Sequence, residues 1–283
     1  MRRTYWYAAM TKDDAQRRRW TFYEAINLIE DYFLRVTQRL GEKTINEQGQ
    51  KYMLKRFEIG IIGGTGGIGK WFAGFFEKEG YVVHVSGRQT GMGMKEMAEK
   101  CRVVIVSVPI GITCEVIEQI GPFMKKESLL MDFTSLKERP VKLMLQYSRS
   151  EVMGCHPLFG PDVESVTGQN IVFCPGRISE WSDWPIELFK NKGARIIETG
   201  PEEHDKMMAV VQGLNHFDTI AMGLAIKDSG VDILKLKSLS TPLFKTKLDI
   251  IEKIFNSNSR LYAEILTLNP YLSSILDQYE KNV

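Results

Sequence analysis

The feature that most constrains this chain is a glycine run, Gly63-Gly64-Thr65-Gly66-Gly67-Ile68-Gly69, set directly behind the β-branched stretch Ile59–Ile62. A GxGxxG falls at Gly64, Gly66 and Gly69, and the helical stretch Lys70–Lys78 follows it. A strand, a glycine loop and a helix in that order form a dinucleotide cradle. Gly64 is read as permitting the tight turn and Gly66 as letting the backbone approach a pyrophosphate. Gly69 lets the helix pack close to the strand, and the amides of Thr65, Gly67 and Ile68 complete an anion-facing helix start.

Beyond the loop, short apolar runs alternate with helical stretches: Tyr81–Val85, Val103–Val108, Leu129–Met131, Val152–Met153, Asn170–Phe173 and Arg195–Ile197. This alternation predicts a doubly wound, mostly parallel α/β sheet of Rossmann type with crossover helices. After Gly200 the strand signals fade. His204–Lys227, Asp232–Leu239, Leu243–Phe255 and Ser259–Leu268 carry helical periodicity, predicting an all-α domain. The reading is therefore an N-terminal helix and linker over 1–55, a dinucleotide-binding domain over 56–200 and a helical substrate and dimerisation domain over 201–283. Within the first segment Phe22–Leu40 has apolar residues spaced by three and four.

Composition narrows the partners. Thirty-seven basic against thirty-five acidic residues leave a net charge of +2 and no field to gather nucleic acid or an anionic membrane. The longest apolar runs fall short of the roughly 18 residues needed to span a bilayer. The four cysteines, Cys101, Cys114, Cys155 and Cys174, have neither CxxC nor metal-type spacing, so no metal is expected. No secretory leader is read at the N-terminus. The expectation is a cytoplasmic protein acting on a small molecule.

The second strand ends in Ser86-Gly87-Arg88, where an NAD-preferring site usually carries an acid. Ser86 and Arg88 suit a 2′-phosphate, so NADP is favoured with NAD possible; a solvated loop is the alternative reading of Arg88. Val108 and Pro109 end the third strand at the carboxyl edge, beside the dinucleotide or simply as a strand terminator. Thr134, Ser135 and Lys137 follow the fourth strand, toward the nicotinamide; helix capping is compatible with that role. His156, between a strand and Pro157, suits accepting a hydroxyl proton while hydride leaves the same carbon. His84 is placed near the adenosine end. His216, beside Gly213, lines the interdomain cleft or packs in the core, and His204 is a capping or structural residue. In a continuous α-helix the twelve residues between these two turn through about 1200°, which leaves them about 120° apart.

Together these stretches resemble the prephenate dehydrogenase family of tyrosine biosynthesis. The likeness runs from about Phe57 to Asn269, through GGTGGIG at 63–69, VIVSVPI at 104–110, DFTSLK at 132–137, GCHPLFGPD at 154–162, EEHDKMMAVVQGLNHF at 202–217, and LSTPLF before Lys245. The resemblance implies oxidative decarboxylation of prephenate to 4-hydroxyphenylpyruvate, with hydride transfer to NAD or NADP, on a Rossmann domain joined to a helical dimerisation domain in a homodimer. It makes His156 the base and Ser135 its hydrogen-bonding partner, and it puts His216 in the substrate pocket. Lys245 stands where the family usually grips the ring carboxylate with arginine. Lysine keeps the charge but loses the two-pronged contact, implying an elevated prephenate KM. The family also implies tyrosine as a candidate inhibitor.

Three other readings stay open: an arogenate dehydrogenase, a nonenzymatic NADP-binding sensor, and a helical scaffold. Retained His156 and Ser135 argue against the sensor. In the N-terminal segment, Leu28-Ile29-Glu30-Asp31, Arg35, Val36, Asn46, Glu47 and Gly49 resemble the last helix and linker of an all-helical chorismate mutase. That stretch is too short to cradle chorismate, so no mutase activity is expected. A plain helix packing on the dehydrogenase is the other reading.

Overall fold

The computed structural model describes residues 57–87, 92–256 and 258–282. The 1–55 helix and its mutase likeness lie outside the described residues, as does Arg88. Seven strands form one sheet in the order β2-β1-β3-β4-β5-β6-β7. They are β1 (Glu58–Ile62), β2 (Val82–Ser86), β3 (Val103–Val106), β4 (Leu129–Asp132), β5 (Glu151–Pro157), β6 (Asn170–Pro175) and β7 (Arg195–Glu198). Five helices interleave with them: α1 (Gly67–Lys78), α2 (Met94–Lys100), α3 (Ile110–Ile120), α4 (Glu138–Tyr147) and α5 (Trp184–Asn191).

β3, β4 and β5 are buried along their whole length. Helices cover both faces of the sheet, so these strands read as unbroken apolar runs rather than alternating ones. On one face Phe72 of α1 meets Phe133 and Phe189, and Phe76 meets Phe189. On the other, Val104, Ile117, Leu130, Met144 and Val152 form a continuous cluster.

The alternation predicted parallel pairing, and every pair is parallel except β5 with β6. No helix lies between those two strands. Without a crossover the chain can only return antiparallel. β5 is also longer than its sequence signal, so His156 lies within the strand, not after it.

After β7 the chain is helical: α6 (Pro201–Met208), a π-helical turn (Ala209–Leu214), α7 (Asn215–Asp228), α8 (Ile233–Leu239), α9 (Pro242–Asn256), α10 (Ser259–Leu268) and α11 (Leu272–Lys281). The π turn interrupts the helix expected over 204–227. Few side chains are buried here: α7 and α8 bury none, and α9 buries only Leu248 and Ile254. None of the described helices is long and apolar enough to cross a membrane.

Candidate active site

The sheet order reverses at β1, because β2 lies to one side of it and β3 to the other. Such a switch point opens a crevice at the carboxyl ends of the strands. The glycine loop occupies it. Gly63, at φ +87°, carries the left-handed conformation, and the Gly64 amide donates to Ile61 O at 3.2 Å to close the turn. The strained turn position is thus Gly63 rather than Gly64. A Cβ on Gly64 would come within 2.6 Å of Val85, so its own constraint is packing. A Cβ on Gly69 would lie 2.4 Å from Gly63 O, so the start of the helix packs directly on the loop backbone.

Thr65, Gly66 and Gly67 are exposed, and no side chain caps α1 or places an acid in its first turn. The first amides of the helix therefore have no intrahelical partner and face outward. A pyrophosphate fits this cradle. Val108 belongs to the same rim, since a Cβ on Gly63 would meet Ser107 O at 2.3 Å and Val108 Cγ1 at 3.0 Å. Pro109 is the exposed N-cap of α3. Ser86 is buried, and its carbonyl accepts the Gly63 amide at 2.8 Å. His84 sits two residues back along β2, paired in register with Gly60, and bonds Glu58 at 2.8 Å.

At the end of β4, Asp132 is fully buried and forms a close ion pair with Lys137, which is also fully buried. Lys137 Nζ further donates to Cys155 O at 3.0 Å, and Thr134 Oγ1 donates to Asp132 at 2.5 Å. Gly154 makes room for the lysine stem, because a Cβ there would lie 3.0 Å from Lys137 Cδ. The side chains of Thr134 and Lys137 are therefore committed inward, and among the three only Ser135 is partly exposed.

His156 is 3% exposed. Its Nδ1 lies 2.9 Å from Nε2 of His204 on α6, and His204 Nδ1 lies 2.7 Å from Asp205 Oδ1. Asp205 also accepts the amides of Lys137 at 2.8 Å and Glu138 at 2.9 Å, a carboxylate at the start of α4 supplied by another helix. Asn269 in turn donates to Asp205 O at 2.9 Å. Burial holds the His156 imidazole well below its usual pKa, with His204 and Lys137 adding to the effect. Among the described residues no hydrogen bond reaches His156 Nε2. Ser135 makes no hydrogen bond to His156 in this arrangement; His204 occupies Nδ1.

His216 stands just past the π turn, with its ring edge-on to Tyr262 at 4.8 Å. Its Nδ1 and the Oε1 of Gln212, one turn earlier, are buried without a protein partner, and burial lowers the His216 pKa. A wider i→i+5 turn advances less than 100° per residue, so the 120° offset expected between His204 and His216 is reduced. Gly213 admits a side chain, Leu272, whose Cδ1 would lie 2.7 Å from an added Cβ. Lys245 is exposed on α9 and forms no ion pair among the described residues. A groove of about 680 Å³ runs between α1 and the β5–β6 loop, past Lys70, Trp71 and Glu164; it contains none of the His156 network.

The sequence reading missed His204, Asp205 and Gln212. A signal was present in the first two: adjacent His and Asp at a helix start supply a hydrogen-bonded pair. All four cysteines are free thiols.

A Rossmann-like sheet with an open glycine cradle, followed by a helical region that reaches back to a buried histidine, is the architecture of a dinucleotide-binding protein. The profile for the nucleotide-binding domain of prephenate dehydrogenase matches residues 83–198, and that for its dimerization domain matches 200–283. The chain belongs to the prephenate dehydrogenase family.

A Methanocaldococcus jannaschii protein named "Probable arogenate/prephenate dehydrogenase" is 36% identical over 240 residues, covering 78% of this chain and 54% of its own. The Haemophilus influenzae T-protein is 35% identical over 247 residues, covering 85% and 64%. The chain thus spans between half and two thirds of these relatives. A crystal structure of prephenate dehydrogenase from A. aeolicus with hydroxyphenyl propionate and NAD+ superposes with a TM-score of 0.64 at 18% identity, covering 81% of this chain and 88% of that one.

Proposed function

We propose that the chain oxidises prephenate to 4-hydroxyphenylpyruvate and carbon dioxide in tyrosine biosynthesis, with NADP favoured over NAD. The observation that carries the chemistry is His156: buried, held neutral, and with Nε2 unengaged at the carboxyl edge of the sheet. A nicotinamide dinucleotide, when bound, supplies the hydride acceptor. We assign its pyrophosphate to Gly64, Thr65, Gly66, Gly67, Ile68 and Gly69, and the rest of its length to Ser86, Arg88, Val108, Pro109 and Thr134.

As hydride leaves the carbinol carbon, His156 takes the hydroxyl proton at Nε2. The ring carboxylate departs as carbon dioxide, and the electron pair of the broken bond completes the aromatic ring. Aromatisation drives the carbon–carbon cleavage, so no residue has to stabilise a carbanion. Ser135 borders the hydroxyl, His216 lines the substrate pocket, and Lys245 supplies positive charge for the ring carboxylate.

We read 56–200 as the dinucleotide domain and 201–283 as the substrate and dimerisation domain of a cytoplasmic homodimer, with tyrosine as a competing ligand of the same cleft. Its bare apolar surface supports the dimer: Leu234, Leu239 and Leu243 are 74%, 80% and 73% exposed in the single chain. Large apolar side chains left this bare suit an interaction surface. Pairing prephenate or arogenate with NADP or NAD in four assays of nicotinamide reduction tests the substrate and cofactor together. Reduction with prephenate, faster with NADP, is expected; reduction with arogenate alone would overturn the substrate assignment.

A further inference from the structure

We infer that His204 is a positioning residue that sets the tautomer of His156, placing the proton on Nδ1 and the lone pair on Nε2. The inference rests on His156 being the base of the proposed reaction, but its structural half is independent of substrate. Asp205 is the anchor. Its two oxygens already accept the Lys137 and Glu138 amides, so the carboxylate faces its surroundings as an acceptor. His204 Nδ1, 2.7 Å from Oδ1, must then carry a hydrogen. A bare nitrogen there would set lone pair against lone pair.

A neutral imidazole protonated at Nδ1 has its lone pair at Nε2. His204 Nε2 is therefore the acceptor of the 2.9 Å bond, and His156 Nδ1 is the donor. The same rule, applied once more, leaves Nε2 of His156 bare. That is the atom able to receive a proton. The opposite tautomer would present a hydrogen to the substrate hydroxyl and remove the base.

The arrangement also serves the product of the step. When Nε2 accepts the hydroxyl proton, Nδ1 keeps its hydrogen and its bond to His204, and the new positive charge faces a chain that ends in a carboxylate. No further bond needs to form or break. His204 and Asp205 are 1% and 2% exposed, so water does not compete for these bonds. Sequence distance hid the relation: 48 residues separate the two histidines.

Nitrogen-15 NMR of the full-length resting protein reads the tautomers directly. We expect His156 protonated at Nδ1 and bare at Nε2, and the same state for His204. In His204→Leu the His156 tautomers should mix and kcat should fall on the order of 100-fold, while cofactor Kd stays within about twofold. His204→Gln, whose Oε1 can stand in for Nε2, should recover about tenfold of that loss. If His204→Leu does not fold, the Gln variant and the spectrum of the wild type still decide. A proton on Nε2 of His156, His204 carrying both protons, or a His204→Leu kcat within about threefold of wild type would each overturn the inference. Failure of the wild type to oxidise either substrate would sink the proposed reaction and leave the tautomer measurement standing.

Discussion

Asp205 and His156 share no hydrogen bond, yet both are held by His204, at 2.7 Å from the aspartate and 2.9 Å from the base. Asp205 also grips the amides that begin α4. The helical region therefore does more than cover the crevice. It orients a side chain of the sheet and fixes the loop that follows β4, so damage at α6 should reach the chemistry without touching the cofactor cradle.

The cradle makes its own prediction. Gly63→Ala meets a left-handed φ and Ser107 O at 2.3 Å, both of them backbone constraints. It should lower stability by about 1–3 kcal/mol and weaken dinucleotide binding at least tenfold, roughly the cost of a strained position with a displaced loop. Gly74→Ala, on the same helix as the loop, has nothing within 4 Å of the new Cβ and should stabilise by about 0.5–1 kcal/mol. Chemical denaturation and cofactor titration of the two variants check the contrast.

Acid should destabilise the fold through His156. Its folded pKa is depressed well below the 6.5 of an unfolded chain. Between the two values the unfolded state binds a proton that the folded state refuses, so stability is full above about pH 6.5 and falls as pH drops below it. The limiting slope is about 1.4 kcal/mol per pH unit for one such group. His216, lowered by burial, adds in the same direction. Melting temperatures followed from pH 7.5 to about 5 should fall less steeply in His156→Asn than in wild type.

Lys245→Arg should lower the KM for prephenate with little change in kcat, because the guanidinium restores a two-pronged grip on a carboxylate. Steady-state kinetics separate the two constants. An unchanged or higher KM would remove Lys245 from the carboxylate site.

The bare leucines of α8 and α9 predict self-association. Sedimentation should give about twice the 32.4 kDa of one chain. Leu234→Glu together with Leu243→Glu should shift it to the monomer, since buried unpaired charge at an apolar contact is costly.

The sheet was legible because strands covered on both faces must be apolar throughout, and Val103–Val106 and Leu129–Met131 announce that plainly. The glycine run marked the crevice because a Cβ at Gly63 or Gly69 would run into backbone. What could not be read is what depends on distant partners. Lys137 reads as facing the nicotinamide until Asp132 and the space above Gly154 are placed around it, and its side chain then turns inward. His204 reads as a helix cap because its partner is on a strand. The π turn lies in Ala209–Leu214, inside a stretch whose apolar spacing reads as one uninterrupted helix. The antiparallel β6 carries the same apolar signature as a parallel neighbour.

The most direct test of the account is the kcat of His156→Asn with prephenate and saturating cofactor, measured beside cofactor Kd. Asparagine preserves a polar side chain and removes the basic nitrogen, so kcat should fall by about 1,000-fold with Kd within about twofold of wild type. A variant that retained a tenth of the wild-type kcat would contradict the assignment of His156 as the base.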